Sequence, residues 1–310
     1  MKNKKILSFM VLAGLITWLA YYVFKHRADF TPLLSISWPY LAILIIMYLM
    51  VFVSIGFFLY FTMLEFKIKL SFLEHFGLAI ISSMTNYLTF LYGGMAIRAL
   101  YLKKHYQFSY SEFVGTLAAN YIIVFFVNSL VTGLILLKFY LSDRIFNLPI
   151  SLLFGGIFVF CTAIIILSPN FKPSKNRWLQ KFILAINCWH KIRKNYKLVL
   201  LLSGFSLLNM FLSSMIYYLG FRVFHIDITY FKAIFISTVA ALSVLINLTP
   251  GALGIKEALV IISARIINVT SAEAIIVAVA ERAIAMIILF TLGPIFSHLL
   301  LNSNYKPKKT

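Results

Sequence analysis

The chain has 310 residues, 62% of them hydrophobic and only 12% charged, with a net charge of +19 and a mean hydropathy of +0.93. So few polar groups cannot cover a soluble surface, and basic residues that punctuate apolar runs exclude a folded nucleic-acid-binding face. The composition is that of an integral membrane protein with no nucleic-acid partner, and its two cysteines and scattered histidines supply neither a disulfide framework nor a metal site.

A hydrocarbon core of about 30 Å needs roughly 20 apolar residues per helix. In chain order, runs of that length fall at residues 6 to 24, 39 to 63, 113 to 137, 150 to 168, 198 to 221 and 273 to 298. The first follows lysines, as a signal peptide does, but its length and the lack of a small-residue cleavage site predict a retained span. Two further stretches, 70 to 106 and 229 to 268, are apolar but interrupted, one at "YGGMAIR" and the other at "TPGALGIKE". Each half is short for a crossing, which predicts hairpins that enter and leave the membrane on one side. Irregular backbone at that depth is tolerated only against protein or a wet cavity. The predicted fold class is an all-α polytopic membrane protein with about six full transmembrane helices and two broken re-entrant helical hairpins.

Lys and Arg concentrate in short cytoplasmic loops. With the N terminus inside, that side holds three basic residues before Ile6, five from Lys67 to Lys104, eight from Lys172 to Lys197 and three after Tyr305, against eight outside. Both termini are therefore expected in the cytoplasm of a multi-pass protein of the cell membrane. Two thin helices crossing in place of each hairpin keep the same sidedness, so charge does not choose between re-entry and crossing. In the basic loop, Trp178, Leu179, Phe182, Ile183, Ile186 and Trp189 recur at helical spacing among Lys181, His190, Lys191, Arg193 and Lys194. That pattern predicts an amphipathic helix along the cytoplasmic leaflet, held by anionic lipids. The Tyr pairs at 21–22 and 217–218 read as interfacial belts.

A shift of 161 residues superposes Asn86 on Asn247, Gly93 on Gly254, Glu112 on Glu273, and Ala119-Asn120 on Ala280-Glu281. One membrane domain, 1–310, then divides into a first repeat unit at 37–140, a connecting span and basic loop at 141–197, and a second unit at 198–300. The extra span turns the second unit upside down. Inverted repeats with broken helices are a recurring transporter design, and the N termini of half-helices suit anionic groups. Pro250, Gly251 and Gly254 are expected to break the helix, with Lys256 and Glu257 opening a returning half whose amides face a cavity. A plain kink in a membrane helix is the other reading of the same residues.

Glu281 and Arg282 lie inside the last span, where an ionisable group costs at least about 2.5 kcal/mol unless it is paired or wet. Neighbours on a helix point about 100° apart, so the two need not pair with each other. Arg282 is placed to meet a phosphate while Glu281 braces Lys256 or an asparagine; an internal ion pair locking the helices is the alternative. Arg98, after the first break, suits a lipid phosphate or an interfacial anchor. Asn86 and Asn247 precede the two breaks, where an amide satisfies freed backbone groups, and Glu112 and Glu273 suit helix N termini. The candidate substrate-binding set is Arg98, Asn86, Asn247, Pro250, Gly251, Gly254, Lys256, Glu257, Glu281 and Arg282. No triad or paired carboxylates are visible, so no catalytic residues, cofactor or metal are expected.

The segments "NLTPGALGIKEALVI" and "SAEAIIVAVAERAIAMI" resemble the second signature of the membrane domain of the lysylphosphatidylglycerol synthase/flippase, or multiple peptide resistance factor, family. "NYLTFLYGGMAIRALYLKKHYQFSYSEF" resembles its first. The resemblance covers residues 5 to 300 and implies a stand-alone member that moves or handles lipids with polar head groups. The first signature usually carries a proline near Phe90 and an acid near Met95, and the second an Arg where this chain has Lys256. A site with one acid fewer favours an anionic ligand. About ten residues follow the last span, so the soluble aminoacyl transferase domain and synthesis of that lipid are not expected. The expected function is translocation of an anionic phospholipid or polyprenyl-phosphate-linked lipid between leaflets. The alternative is a non-transporting partner of a lipid-modifying enzyme or glycosyltransferase. Expected partners are anionic membrane lipids, such an enzyme, and a second copy in a homodimer.

Overall fold

The computed structural model describes residues 36–89, 93–167, 171, 177–246 and 249–301, and these form helices joined by short turns. We label the helices α1 (Trp38–Leu64), α2 (Phe72–Leu88), α3 (Gly93–Tyr106), α4 (Tyr110–Lys138), α5 (Leu148–Leu167), α6 (Arg177–Lys194), α7 (Tyr196–Val223), α8 (Tyr230–Ala241), α9 (Ile255–Ile266) and α10 (Ser271–Leu301). Five of them, α1, α4, α5, α7 and α10, are long and apolar enough to cross a membrane. The predicted first span at 6 to 24, Asn247 and the C-terminal tail lie outside the described residues.

Local sequence sets where these helices begin. Ser71 and Glu74 form a capping box at the start of α2, Ser109 and Glu112 at the start of α4, and Thr270 and Glu273 exchange the same reciprocal bonds at the start of α10. Each box satisfies backbone N–H groups that a helix N terminus leaves unpaired. Glu112 and Glu273 thus cap, as expected from their positions.

The two interrupted stretches fold as helix pairs. Both α8 and α9 have 12 residues, about 18 Å each at 1.5 Å per residue, well short of the roughly 30 Å of a bilayer core. The outer ends of each pair meet. At the first, the Glu74 carboxylate on α2 accepts hydrogen bonds of 2.7 Å from the hydroxyls of both Tyr101 and Tyr106 on α3. At the second, Lys232 Nζ on α8 donates to the carbonyl of Ile267, just past α9, at 3.1 Å. Each stretch therefore goes in and comes back.

The hairpins open from opposite ends of the bundle. One apolar cluster gathers Met63, Leu70, Leu102, Phe108, Phe113 and Leu300, which lie near the outer ends of α2 and α3. Another gathers Phe139, Ile150, Phe221, Ile228, Ala233 and Ile267, which lie near the outer ends of α8 and α9. The tips meet between them: a Cβ at Gly251 would lie 2.6 Å from Cδ1 of Tyr87, at the end of α2.

Helix α5 is the least buried of the described spans. It packs on α4 and exposes Leu152, Val159 and Phe160, as a lipid-facing helix does. Helix α6 forms where the amphipathic pattern predicts it, but its buried face is covered by protein. Ile183, Cys188, Trp189 and Ile192 are buried, and the last two share a cluster with Ala119 and Ile123 of α4 and Leu202 of α7. Periodicity identifies an apolar face without saying what covers it. Here α4 competes with lipid for that face and occupies it.

Candidate functional site

The hairpin tips and the inner faces of α1, α4, α7 and α10 enclose a cavity of about 520 Å³. Of the expected site residues, Asn86, Arg98, Gly251, Lys256 and Glu281 line it. Glu257 and Arg282 pair with each other behind its wall.

Arg98 is supplied by the returning half of the first hairpin. Its Nε donates to Ser82 Oγ across the hairpin at 2.7 Å. Among the described residues no carboxylate pairs with it, so one positive charge faces the cavity without a counter-ion. Asn86 plays the capping role expected of it: its Oδ1 accepts the backbone N–H of Gly94 at 2.9 Å, bridging the first break. Gly94 is required there by close approach, since a Cβ would sit 2.0 Å from the Ser82 carbonyl oxygen.

The second tip is a left-handed run. Pro250 opens a single 3₁₀ turn, and Gly251, Ala252 and Gly254 have φ of 60°, 52° and 79°. Thr249 Oγ1 closes the turn by donating to the Leu253 carbonyl at 2.8 Å. The N terminus of α9 differs from expectation. Glu257 Oε2 accepts the Gly254 N–H at 2.8 Å, so a carboxylate of the chain itself already takes the first freed donor. The acid that follows Lys256 in sequence reaches back as a cap.

The four charges form two pairs between α9 and α10. Lys256 Nζ donates to both carboxylate oxygens of Glu281 at 2.7 Å. Arg282 Nε donates to Glu257 Oε1, and its Nη1 donates to the Gly251 carbonyl at 2.9 Å. The neighbours Glu281 and Arg282 thus serve different partners, as their angular separation requires. Glu281 braces Lys256, and Arg282 locks the second tip onto α10. The Arg282 guanidinium also lies 5.6 Å over the Tyr87 ring and the Lys256 ammonium 5.8 Å over the Tyr217 ring.

Tyr217, expected in an interfacial belt, is instead 3% exposed, and its buried hydroxyl has no hydrogen-bond partner among the described residues. It ends a polar ladder on α7, Ser206, Asn209, Ser213 and Tyr217, that lines the cavity. Asn120, Tyr121 and Asn128 on α4 contribute a second row. The signal was present as polar residues three or four apart within apolar spans.

Among the described residues three charged side chains line the cavity, Arg98, Lys256 and Glu281. The single acid is matched by Lys256, so the lining carries one net positive charge. No curated protein and no solved structure matches the chain, whereas the family described as Lysylphosphatidylglycerol synthase TM region matches residues 4–293.

Proposed function

Because this chain belongs to the lysylphosphatidylglycerol synthase TM-region family, a family of membrane regions associated with lipid modification or flipping, we propose that it is a lipid translocase. Its substrate is an anionic phospholipid or polyprenyl-phosphate-linked lipid, passed between leaflets with the head group in the central cavity. The observation that carries this reading is Arg98, a cavity-lining cation with no carboxylate partner among the described residues. A buried cation costs several kcal/mol unless a counter-charge or water reaches it, and a phosphate supplies that charge. Protein hydroxyls and amides then replace the head group's water while the acyl or prenyl chains stay in lipid.

The two hairpins, open at opposite ends and touching at their tips, support a reading of residues 37–140 and 198–300 as inverted copies of one unit. The capping boxes at Ser109 and Thr270 stand at the 161-residue offset, and so do Asn120 and Glu281. In such a pair, small rotations open the shared cavity to one end and close it to the other. Lys67, Lys69, Lys103, Lys104, Lys191 and Lys194 lie at or next to the ends of α1, α3 and α6, where the first hairpin opens, an end that we place in the cytoplasm.

The test is transport. Purified protein reconstituted in liposomes should move a fluorescent phosphatidylglycerol between leaflets, with Arg98→Gln slowing it at unchanged folded yield. Wild-type rates in Arg98→Gln liposomes would remove the cation from the mechanism. No movement of any anionic lipid by wild-type protein would reject translocation.

A further inference from the structure

The anchoring of one phosphate by Arg98 leaves most of the cavity wall unexplained, because the α7 and α4 rows carry no charge. Ser206, Asn209, Ser213 and Tyr217 are spaced by three or four residues and line one cavity. From first to last they climb about 16 Å along α7 at 1.5 Å per residue, half the thickness of a hydrocarbon core of about 30 Å. Asn120 and Asn128 border the same space from α4.

Polar side chains inside a membrane domain are retained where something uses their hydrogen bonds. Here those bonds are incompletely used by the protein. Thr62 Oγ1 reaches Asn120 Oδ1 at 3.2 Å, and Asn209 Nδ2 lies 3.5 Å from the Val51 carbonyl, which is a weak bond at best. The Tyr217 hydroxyl is fully buried at the cavity wall and has no partner at all among the described residues. A small rotation of the ring that brings this hydroxyl to the cavity surface would let a ligand group that donates or accepts satisfy it.

Charge restricts that group further. An amine on the head group would need a spare carboxylate, and the only acid among the described residues that line the cavity, Glu281, is held by Lys256 through both oxygens. A second phosphate would need a second free cation, and Lys256 is likewise committed. The remainder of the head group is therefore neutral, and amides and hydroxyls, which both donate and accept, match the vicinal hydroxyls of a sugar. A hexose offers more hydroxyls to these side chains than a glycerol unit does.

We infer that the cavity selects a lipid whose head group is one phosphodiester, seated at Arg98, joined to an uncharged sugar that lies along the Asn209–Ser213–Tyr217 face of α7. This rests on the translocase reading for the seat of the phosphate, and it names the class of head group.

The test is competitive lipid binding to detergent-purified full-length protein, read by native mass spectrometry. Four probes separate the contributions: a short-chain polyprenyl phosphate esterified to one hexose, the same polyprenyl phosphate as its methyl ester, phosphatidylglycerol, and lysylphosphatidylglycerol. The first two carry equal charge and equal chain. The hexosyl ester should bind about tenfold or more tightly than the other three, because a site built to hydrogen-bond hydroxyls rejects analogues that offer fewer or none. Tyr217→Phe combined with Asn209→Leu should bring the hexosyl ester down to the methyl ester while leaving the methyl ester's affinity unchanged, and that unchanged affinity reports an intact fold. Ser213→Ala, a smaller change, should shift preference the same way. Arg98→Gln should weaken both esters together. Equal binding of hexosyl and methyl esters, both dependent on Arg98, would overturn the sugar and leave the anionic-lipid reading standing. Phosphatidylglycerol or the lysyl lipid binding as tightly as the hexosyl ester would also overturn it. Failure of every probe to bind would overturn both.

Discussion

Gly251, at the tip of the second hairpin, lies against the ring of Tyr87 at the end of α2, so closely that a Cβ would come within 2.6 Å of the ring. Its φ of 60° is left-handed as well. Only glycine meets both demands: absence of a side chain permits the contact, and absence of a Cβ permits the dihedral. Gly251→Val should therefore destabilise the protein by about 2 kcal/mol or more, since the left-handed region alone costs a side-chain-bearing residue about 1–2 kcal/mol. Thermal unfolding in detergent measures this. Adding Tyr87→Ala should recover the steric part and leave the dihedral part. A Gly251→Val protein as stable as wild type would mean that the tips do not touch.

Glu74 is 1% exposed and accepts four hydrogen bonds, from the backbone N–H and hydroxyl of Ser71 and from the hydroxyls of Tyr101 and Tyr106. This carboxylate holds the outer ends of the first hairpin together. Hydrogen bonds to charged groups contribute about 1.5–3 kcal/mol each, so Tyr106→Phe should cost that amount. Glu74→Gln should cost more, because one side of the amide presents an NH₂ to donors and cannot accept from them. Limited proteolysis between residues 64 and 72 should accelerate in Glu74→Gln as the hairpin loosens. Equal costs for the two substitutions would show that the carboxylate is not the shared anchor.

The features legible from sequence were those with short-range causes. Capping by Glu112 and Glu273 depends on a carboxylate three residues past a Ser or Thr, so it could be read directly. The breaks at Gly94 and Gly251 were visible because few residues other than glycine tolerate such contacts and dihedrals. Pairing across α9 and α10 was only half legible. The partnership of Lys256 with Glu281 was anticipated, but the retention of Arg282 by Glu257 and the Gly251 carbonyl depends on which turn of α9 faces α10, which no local pattern encodes. Tyr217 was misplaced for the same reason. A Tyr near the end of an apolar span looks interfacial until the fold shows that its face of α7 points inward.

Cys188 tests the docking of α6. It is buried, and burial pushes its thiol up to about 11. Alkylation needs the thiolate, and at pH 8 a thiol of that kind is ionised about one part in a thousand, against about a quarter for an ordinary cysteine near 8.5. In a Cys161→Ser background, a maleimide at pH 8 should label the folded protein far more slowly than the denatured protein. The rate should rise steadily with pH towards 11. Trp189→Ala, which removes a neighbour that packs on α4, should speed labelling at fixed pH. Fast labelling of the wild-type protein in its folded state would place α6 away from α4, on the lipid surface.

The two ion pairs between α9 and α10 have similar chemistry, but their surroundings differ, and that difference sets which carboxylate matters more for stability. The Lys256 side chain is 26% exposed and faces the cavity, whereas Arg282 is 6% exposed behind it. Removing the acid from a buried pair strands a charge and costs about 3–5 kcal/mol, but water that reaches the charge from a cavity can take over part of the lost role. Glu257→Gln should therefore approach the full cost, since Arg282 already has a buried nitrogen, Nη2, without a partner among the described residues. Glu281→Gln should cost less than half as much, because Lys256 can hydrate from the cavity. The order is measured by thermal or denaturant unfolding of the two variants in the same detergent. Pairing Glu257→Leu with Arg282→Met should restore much of the stability lost in Glu257→Gln, since an apolar pair leaves no charge stranded. If Glu281→Gln proved the more damaging, the cavity would be dry at Lys256, and the water that a polar head group displaces on entry would not be there.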